Sequence, residues 1–67
     1  MYLKTLIKGM APGTKVIVYN ENGNVLCAGV RESLFGTYIA TYGHWRVKHF
    51  GPCYNKDDGP YISVTVK

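Results

Sequence analysis

The residues of this 67-residue chain that could do chemistry are two histidines, two cysteines and a group of basic and aromatic side chains. His44, His49, Cys53 and Cys27 are of the types that bind zinc. They contain no C-x-x-C pair, and alternation along a strand would place the two histidines on opposite faces. The spacing therefore predicts two ordinary histidines and no metal site.

Catalysis would need a nucleophile beside a base, and Cys53 with His49 is the available pair. No acid to orient the base and no oxyanion loop is visible near them, so we expect neither enzyme activity nor a cofactor. Cys27 is interpreted as a small core residue and Cys53 as a loop residue. Two cysteines are too few for a secreted disulfide scaffold, which predicts free thiols in a reducing cytoplasm.

The basic and aromatic residues form the strongest candidate site. Cations interleaved with flat rings can pair with phosphates and stack on bases. The alternative is that the rings fill the core of a small β domain and the charges keep it soluble. The candidate ligand- or partner-binding residues are Arg46, Lys48, His44, Tyr38 and Tyr42.

Composition indicates a single folded domain over residues 1–67, with 46% hydrophobic and 18% charged residues. The net charge of +4 favours acidic partners: a host protein, an anionic nucleotide or a nucleic acid. No run of 18 apolar residues and no signal-peptide pattern is present, so we expect a cytoplasmic protein without a membrane partner.

A β-hairpin organises the chain. Two apolar runs, Lys15–Tyr19 and Val25–Val30, flank a polar segment in which Asn22-Gly23 favours a type I′ turn. Both faces of both strands are apolar, so a core on one side of the hairpin would leave the apolar residues of the other side exposed to water. Because a chain this short also has a marginal core, we expect a homo-oligomer.

The other elements are short. Apolar spacing over Tyr2 to Met10 predicts an amphipathic helix, although a first strand is the rival interpretation. Residues 31–35 are expected to form a helical turn, followed by a strand to Tyr42 because Thr, Tyr and Ile favour strands. His44 to Phe50 is a predicted strand with Trp45 inward, ended by Gly51-Pro52; residues 53–59 are a loop, and 61–67 a last strand.

These elements predict a mainly β protein with a minor helical part. The expected architecture is a small curled antiparallel sheet or an SH3-like barrel of four or five strands, with a short N-terminal helix.

Residues 8–34, KGMAPGTKVIVYNENGNVLCAGVRESL, with the later strand around Trp45–Lys48, resemble small uncharacterised proteins of phages, prophages and Gram-positive bacteria. Gly36 and the Tyr-rich 38–42 segment depart from that pattern. The resemblance implies a phage or mobile-element product with an accessory role. We therefore expect a non-enzymatic binding module that occludes or sequesters a host defence factor, with direct nucleic-acid binding as the alternative.

Overall fold

A computed structural model describes residues 1–34 and 37–67, and all of their side chains except those of 37–39. A four-stranded sheet in the order β2-β1-β4-β3 carries helices on one side. The mainly β fold with a short N-terminal helix is confirmed. The elements are α1 (Leu3–Lys8), β1 (Lys15–Tyr19), β2 (Val25–Val30), α2 (Arg31–Leu34), α3 (Thr37–Tyr42), β3 (Val47–Asn55) and β4 (Gly59–Val66).

The sheet is mixed. β1 pairs antiparallel with β2, and β3 with β4, but the two central strands β1 and β4 run parallel. The prediction of an all-antiparallel sheet was therefore wrong in this one pairing. The most continuously apolar strand faces occupy the centre, where Val16 and Val18 of β1 lie beside Ile62 and Val64 of β4. Placing them there removes more apolar surface from water than an edge position would.

The core lies between the sheet and the helices. Val16, Val18, Val64 and Val66 are fully buried under Leu3 and Ile7 of α1, with Leu34 of α2 and Cys27 of β2 completing the cluster. Leu3 and Ile7 are four residues apart, so they share one face of the helix. Burying each such side chain contributes roughly 1.5–3 kcal/mol. The amphipathic helix predicted near the N-terminus is confirmed, with bounds shorter than expected.

The opposite side of the sheet has no helix packed on it within the described residues. Strand pairing and side-chain alternation assign fourteen strand positions to this side. We call it the open face: Lys15, Ile17, Tyr19, Val25, Ala28, Val30, His49, Gly51, Cys53, Asn55, Gly59, Tyr61, Ser63 and Thr65. Among the helices described, none is long and apolar enough to cross a membrane.

Residues 37–42 form a helix, so the strand predicted there was wrong. Ala40 and Thr41 are exposed, whereas Tyr42 is half-buried and packs against the core. The helix contacts α1 and α2, and this packing against the core overrides the strand propensity of the segment. The helical turn predicted just before it is confirmed as α2.

β3 begins and ends later than predicted. Gly51-Pro52 does not end the strand, and Cys53 to Asn55 continue it to a short turn before β4. Pro52 is tolerated because β3 is an edge strand, where a missing N–H need not break the ladder. Trp45 precedes the strand and is 37% exposed, so its predicted inward position was also wrong.

The predicted hairpin is confirmed, but its turn is not type I′. The Gly23 N–H donates to the Asn20 carbonyl, and Gly23 has a φ of 86°. Asn22 keeps a negative φ, so only one turn residue is left-handed. Asn20 Oδ1 accepts hydrogen bonds from the N–H groups of Asn22 and Asn24 at 2.9 and 3.0 Å. This is a wider turn, followed by a bulge where Tyr19 pairs with Val25.

The turn gives a stability prediction. Gly23→Ala should destabilise the fold by about 1 kcal/mol, because Ala pays a steric cost at positive φ. That corresponds to a fall of roughly 4–8 °C in the midpoint of thermal unfolding, measured by circular dichroism. Gly51→Ala is the matched control, since Gly51 is also unhindered but has no positive φ. Equal losses in the two variants would contradict this account of the turn.

Candidate functional site

The loop between α3 and β3 is fastened to the start of α1. Tyr2 caps this helix without a side-chain hydrogen bond, so its first N–H groups need other acceptors. The N–H of Leu3 donates to the Trp45 carbonyl at 2.9 Å, and that of Lys4 to the Gly43 carbonyl at 3.1 Å. These bonds hold two distant parts of the chain at one corner of the sheet.

Five side chains gather at this corner, and we call them the basic–aromatic surface: Tyr2, Tyr42, His44, Trp45 and Arg46. The Arg46 guanidinium lies 5.2 Å from the centroid of the Tyr2 ring. His44 meets the same ring edge-on, with centroids 6.3 Å apart. Tyr42 and Trp45 form a second edge-on pair at 5.7 Å. Such contacts orient the rings and the cation relative to one another.

The members of this surface differ in exposure. Tyr2 is 42% exposed and Trp45 37%, and His44 and Arg46 are exposed as well. Tyr42 is half-buried and packs on the hydrophobic core, so it supports Trp45 from below. A cation–π contact at an exposed site contributes only about 0.5–1 kcal/mol. The exposed rings and the guanidinium are therefore available for contact with another molecule.

Charge is unevenly distributed between the two ends of the sheet. The surface lies where β4 ends, since Val47 pairs with Val66 and the Lys67 N–H donates to the Arg46 carbonyl at 3.1 Å. Three of the four acidic residues lie at the other end or beside it. Glu32 accepts the Gly13 N–H at 2.6 Å next to the start of β1, and Asp57 and Asp58 lie in the β3–β4 turn.

Cations predominate at the corner itself. Arg46 lies over the ring of Tyr2, Lys4 is held at this corner by its backbone bond to Gly43, and Lys48 follows at the bulge of β3. Glu21 is the acid on this side: together with Trp45 and Lys67 it lines a shallow hollow. The local field favours an anionic ligand.

The fold brings some of the predicted site residues together. His44, Tyr42 and Arg46 share the basic–aromatic surface, while Lys48 is exposed two residues further on. The Tyr38 side chain lies outside the described residues, as does Gly36.

Tyr2 and Trp45 were missed. Tyr2 was assigned only to the predicted helix, and strand alternation had directed Trp45 inward. Two signals could have found them: Tyr2 lies off the apolar stripe of the helix, and Trp45 directly precedes Arg46.

The second place where reactive side chains could meet is the open face, which carries both His49 and Cys53. They pair with Thr65 and Tyr61 and lie four strand residues apart, a separation of about 13 Å. That distance is too great for a nucleophile and its base. Among the described side chains, no group of three or more His, Cys, Asp and Glu could hold a metal ion.

Tyr61 lies close to two further polar side chains on this face. Partial desolvation, with Cys53 and Tyr19 beside it, raises the pKa of Tyr61 above its ordinary value. Its hydroxyl therefore remains a neutral hydrogen-bonding group throughout the physiological range.

The two cysteines differ in environment. Cys27 is buried in the core, and this burial raises the pKa of its thiol, whereas Cys53 is exposed. Because the thiolate is the reactive form, the fold makes Cys27 inert and leaves Cys53 accessible.

The difference is measurable. Dilute native protein treated with iodoacetamide near pH 8 should take one label per chain, at Cys53, and a second only in denaturant. Mass spectrometry of the intact chain and of its peptides gives both the number and the position. Labelling of Cys27 at a comparable rate in native protein would contradict its burial.

Comparison with protein-family models, curated proteins and solved structures finds no match to the chain. A function must therefore be inferred from its own residues and their geometry.

Proposed function

We propose that this protein is a small non-enzymatic binding module that holds an anionic partner on its basic–aromatic surface. The observation that carries the proposal is the stacking of Arg46 over Tyr2, with His44 on the edge of the same ring. A guanidinium held by a ring retains its N–H donors for a carboxylate or phosphate.

The chemistry of the surface suits a partner that combines negative charge with a flat group. Tyr2 and Trp45 offer partly exposed rings for stacking, while Arg46 and Lys48 offer positive charge. Backbone hydrogen bonds already fix the loop against α1, so little conformational freedom is lost on binding. These features support recognition at a preformed site.

The biological role follows from the resemblance of residues 8–34 to small phage and prophage proteins. We propose a phage- or mobile-element-encoded inhibitor that acts in the host cytoplasm, in the manner of an anti-CRISPR protein or a nucleotide-signal sponge. It would occlude the nucleic-acid groove of a defence nuclease, or sequester an anionic signalling nucleotide. The partner supplies negative charge in both cases, which matches the net charge of +4.

Charge reversal tests the proposal. Arg46→Glu/Lys48→Glu should lower capture of the host partner at least about 10-fold, because two attractive contacts become repulsive. Capture is measured by pull-down from host extract with quantitative mass spectrometry, and the affinity by titration of the purified partner. Lys8→Glu/Lys56→Glu is the matched control, since it makes the same change in net charge away from the surface.

The folding of both variants is checked by circular dichroism. A partner bound by wild type and control but lost from Arg46→Glu/Lys48→Glu supports the proposal. Equal capture by all three proteins would exclude the basic–aromatic surface as the binding site.

Direct binding to nucleic acid is the second candidate. It is favoured by the partly exposed rings of Tyr2 and Trp45, which lie at the same corner as the cations of Lys4, Arg46 and Lys48. Three phosphate contacts on a single strand predict that the dissociation constant rises about 20-fold between 50 and 200 mM salt.

Fluorescence anisotropy with a short labelled single strand measures this dependence, and Arg46→Glu/Lys48→Glu should lower its slope. Absence of binding at 50 mM salt would remove nucleic acid as the ligand. The proposal of a protein or nucleotide partner would then stand alone.

A further inference from the structure

The open face is unusually apolar for an uncovered sheet surface. Sheets with one solvated face normally alternate apolar inward and polar outward residues. Here the outward positions of β1 and β2 other than Lys15 are apolar or aromatic, and β4 adds a second large ring. These apolar and aromatic residues are Ile17, Tyr19, Val25, Ala28, Val30 and Tyr61.

We propose that two copies of the chain pack through their open faces to form a two-fold symmetric homodimer. The proposal concerns a surface separate from the basic–aromatic surface, and it does not depend on what that surface binds.

The size of the face matches what a dimer needs. The chain extends 30 × 26 × 18 Å, so the outline of its broadest side is at most about 780 Å². A standard interface buries roughly 800 Å² per partner. Two copies therefore reach the standard size only if most of one broad side takes part in the contact.

Charge permits a second copy despite the positive net charge. Lys15 is the one charged residue among the open-face positions. Its ammonium donates to the Asp58 carbonyl at 2.6 Å, which places a base and an acid side by side. Lys56 and Asp57 share the adjacent turn and balance each other. The face and its rim therefore carry as many acids as bases here, so two copies can meet without strong repulsion.

The shape of the open face also suits contact with a second copy. Tyr61 stands between two hollows, and the one toward β2 has a volume of about 300 Å³. Its floor is apolar, with Ile17, Ala28 and Val30, and Lys15 and Asp58 also line it. In a two-fold interface each projecting group meets the corresponding recess of the other copy. Tyr61 of one copy can enter the partner's recess, and its neutral hydroxyl remains able to form a hydrogen bond.

The dimer would be bivalent. The basic–aromatic surface is built from residues before α1 and before β3, not from open-face positions, so both copies keep it free. Two linked sites can raise the apparent affinity for a repetitive or two-fold symmetric partner without any new contact.

Sedimentation equilibrium tests the dimer directly and needs no ligand. Wild-type protein should approach twice the chain mass of 7.5 kDa as its concentration rises through the micromolar range. Tyr61→Lys should raise the dissociation constant at least about 100-fold, because the new charge enters the interface twice. Tyr54→Lys is the matched control: Tyr54 lies on the same β-hairpin, points away from the open face and is 74% exposed.

A second measurement uses the wild-type chain alone. Cys53 lies on the open face, so its alkylation rate should fall at least about 10-fold as the concentration is raised across the dimer transition. A monomer mass throughout, an unchanged alkylation rate, or equal dissociation by Tyr54→Lys and Tyr61→Lys would each overturn the proposal. If Tyr61→Lys fails to fold, the mass and alkylation of the wild type still decide.

Discussion

The parallel pairing of β1 with β4 is the constraint on which the rest of the fold depends. It places Val16 and Val18 beside Ile62 and Val64 in the middle of the sheet, where both strand edges are hydrogen-bonded. To bring β4 into this position, the chain must leave β2, cross one side of the sheet and return along β3. The helices on that side, α1 together with α2 of the crossing, bury the valines. They also leave the other side of the sheet without a covering layer.

A tight junction makes the crossing possible. β2 ends at Val30 and α2 starts at the next residue, with no linker between them. A Cβ atom at Gly29 would lie 2.6 Å from the Ser33 hydroxyl oxygen, so a glycine is needed where the helix folds back. Ser33 in turn donates to the Val30 carbonyl at 2.9 Å. The direction of the crossing is thus set locally, within four residues.

Local patterns predicted the hairpin and the N-terminal helix because period and turn chemistry act over few residues. They gave wrong predictions where contacts between residues far apart in the sequence determine the conformation. Residues 37–42 have strand propensity but lie as a helix on the core, and Pro52 is accepted in β3 only because that strand has a free edge. Arg46 and His44 could be predicted as site residues because they lie close together in the sequence. The contact between Tyr2 and Arg46 could not be predicted, because the two residues lie 44 positions apart in the sequence.

The two outer strands carry features that disfavour growth of the sheet. At the β3 edge, Tyr2 bridges to Arg46 at one end, a bulge follows at Lys48, and Pro52 removes a donor further on. β2 has a bulge near Val25 and a glycine at φ 152° near its end. Such irregular edges are poor templates for another strand. Strand pairing at the edges would leave new free edges, so the sheet could grow into a ribbon. Contact through one face ends with two copies, because neither copy then has a second such face. The geometry of the edges therefore protects this small, apolar sheet from forming fibrils.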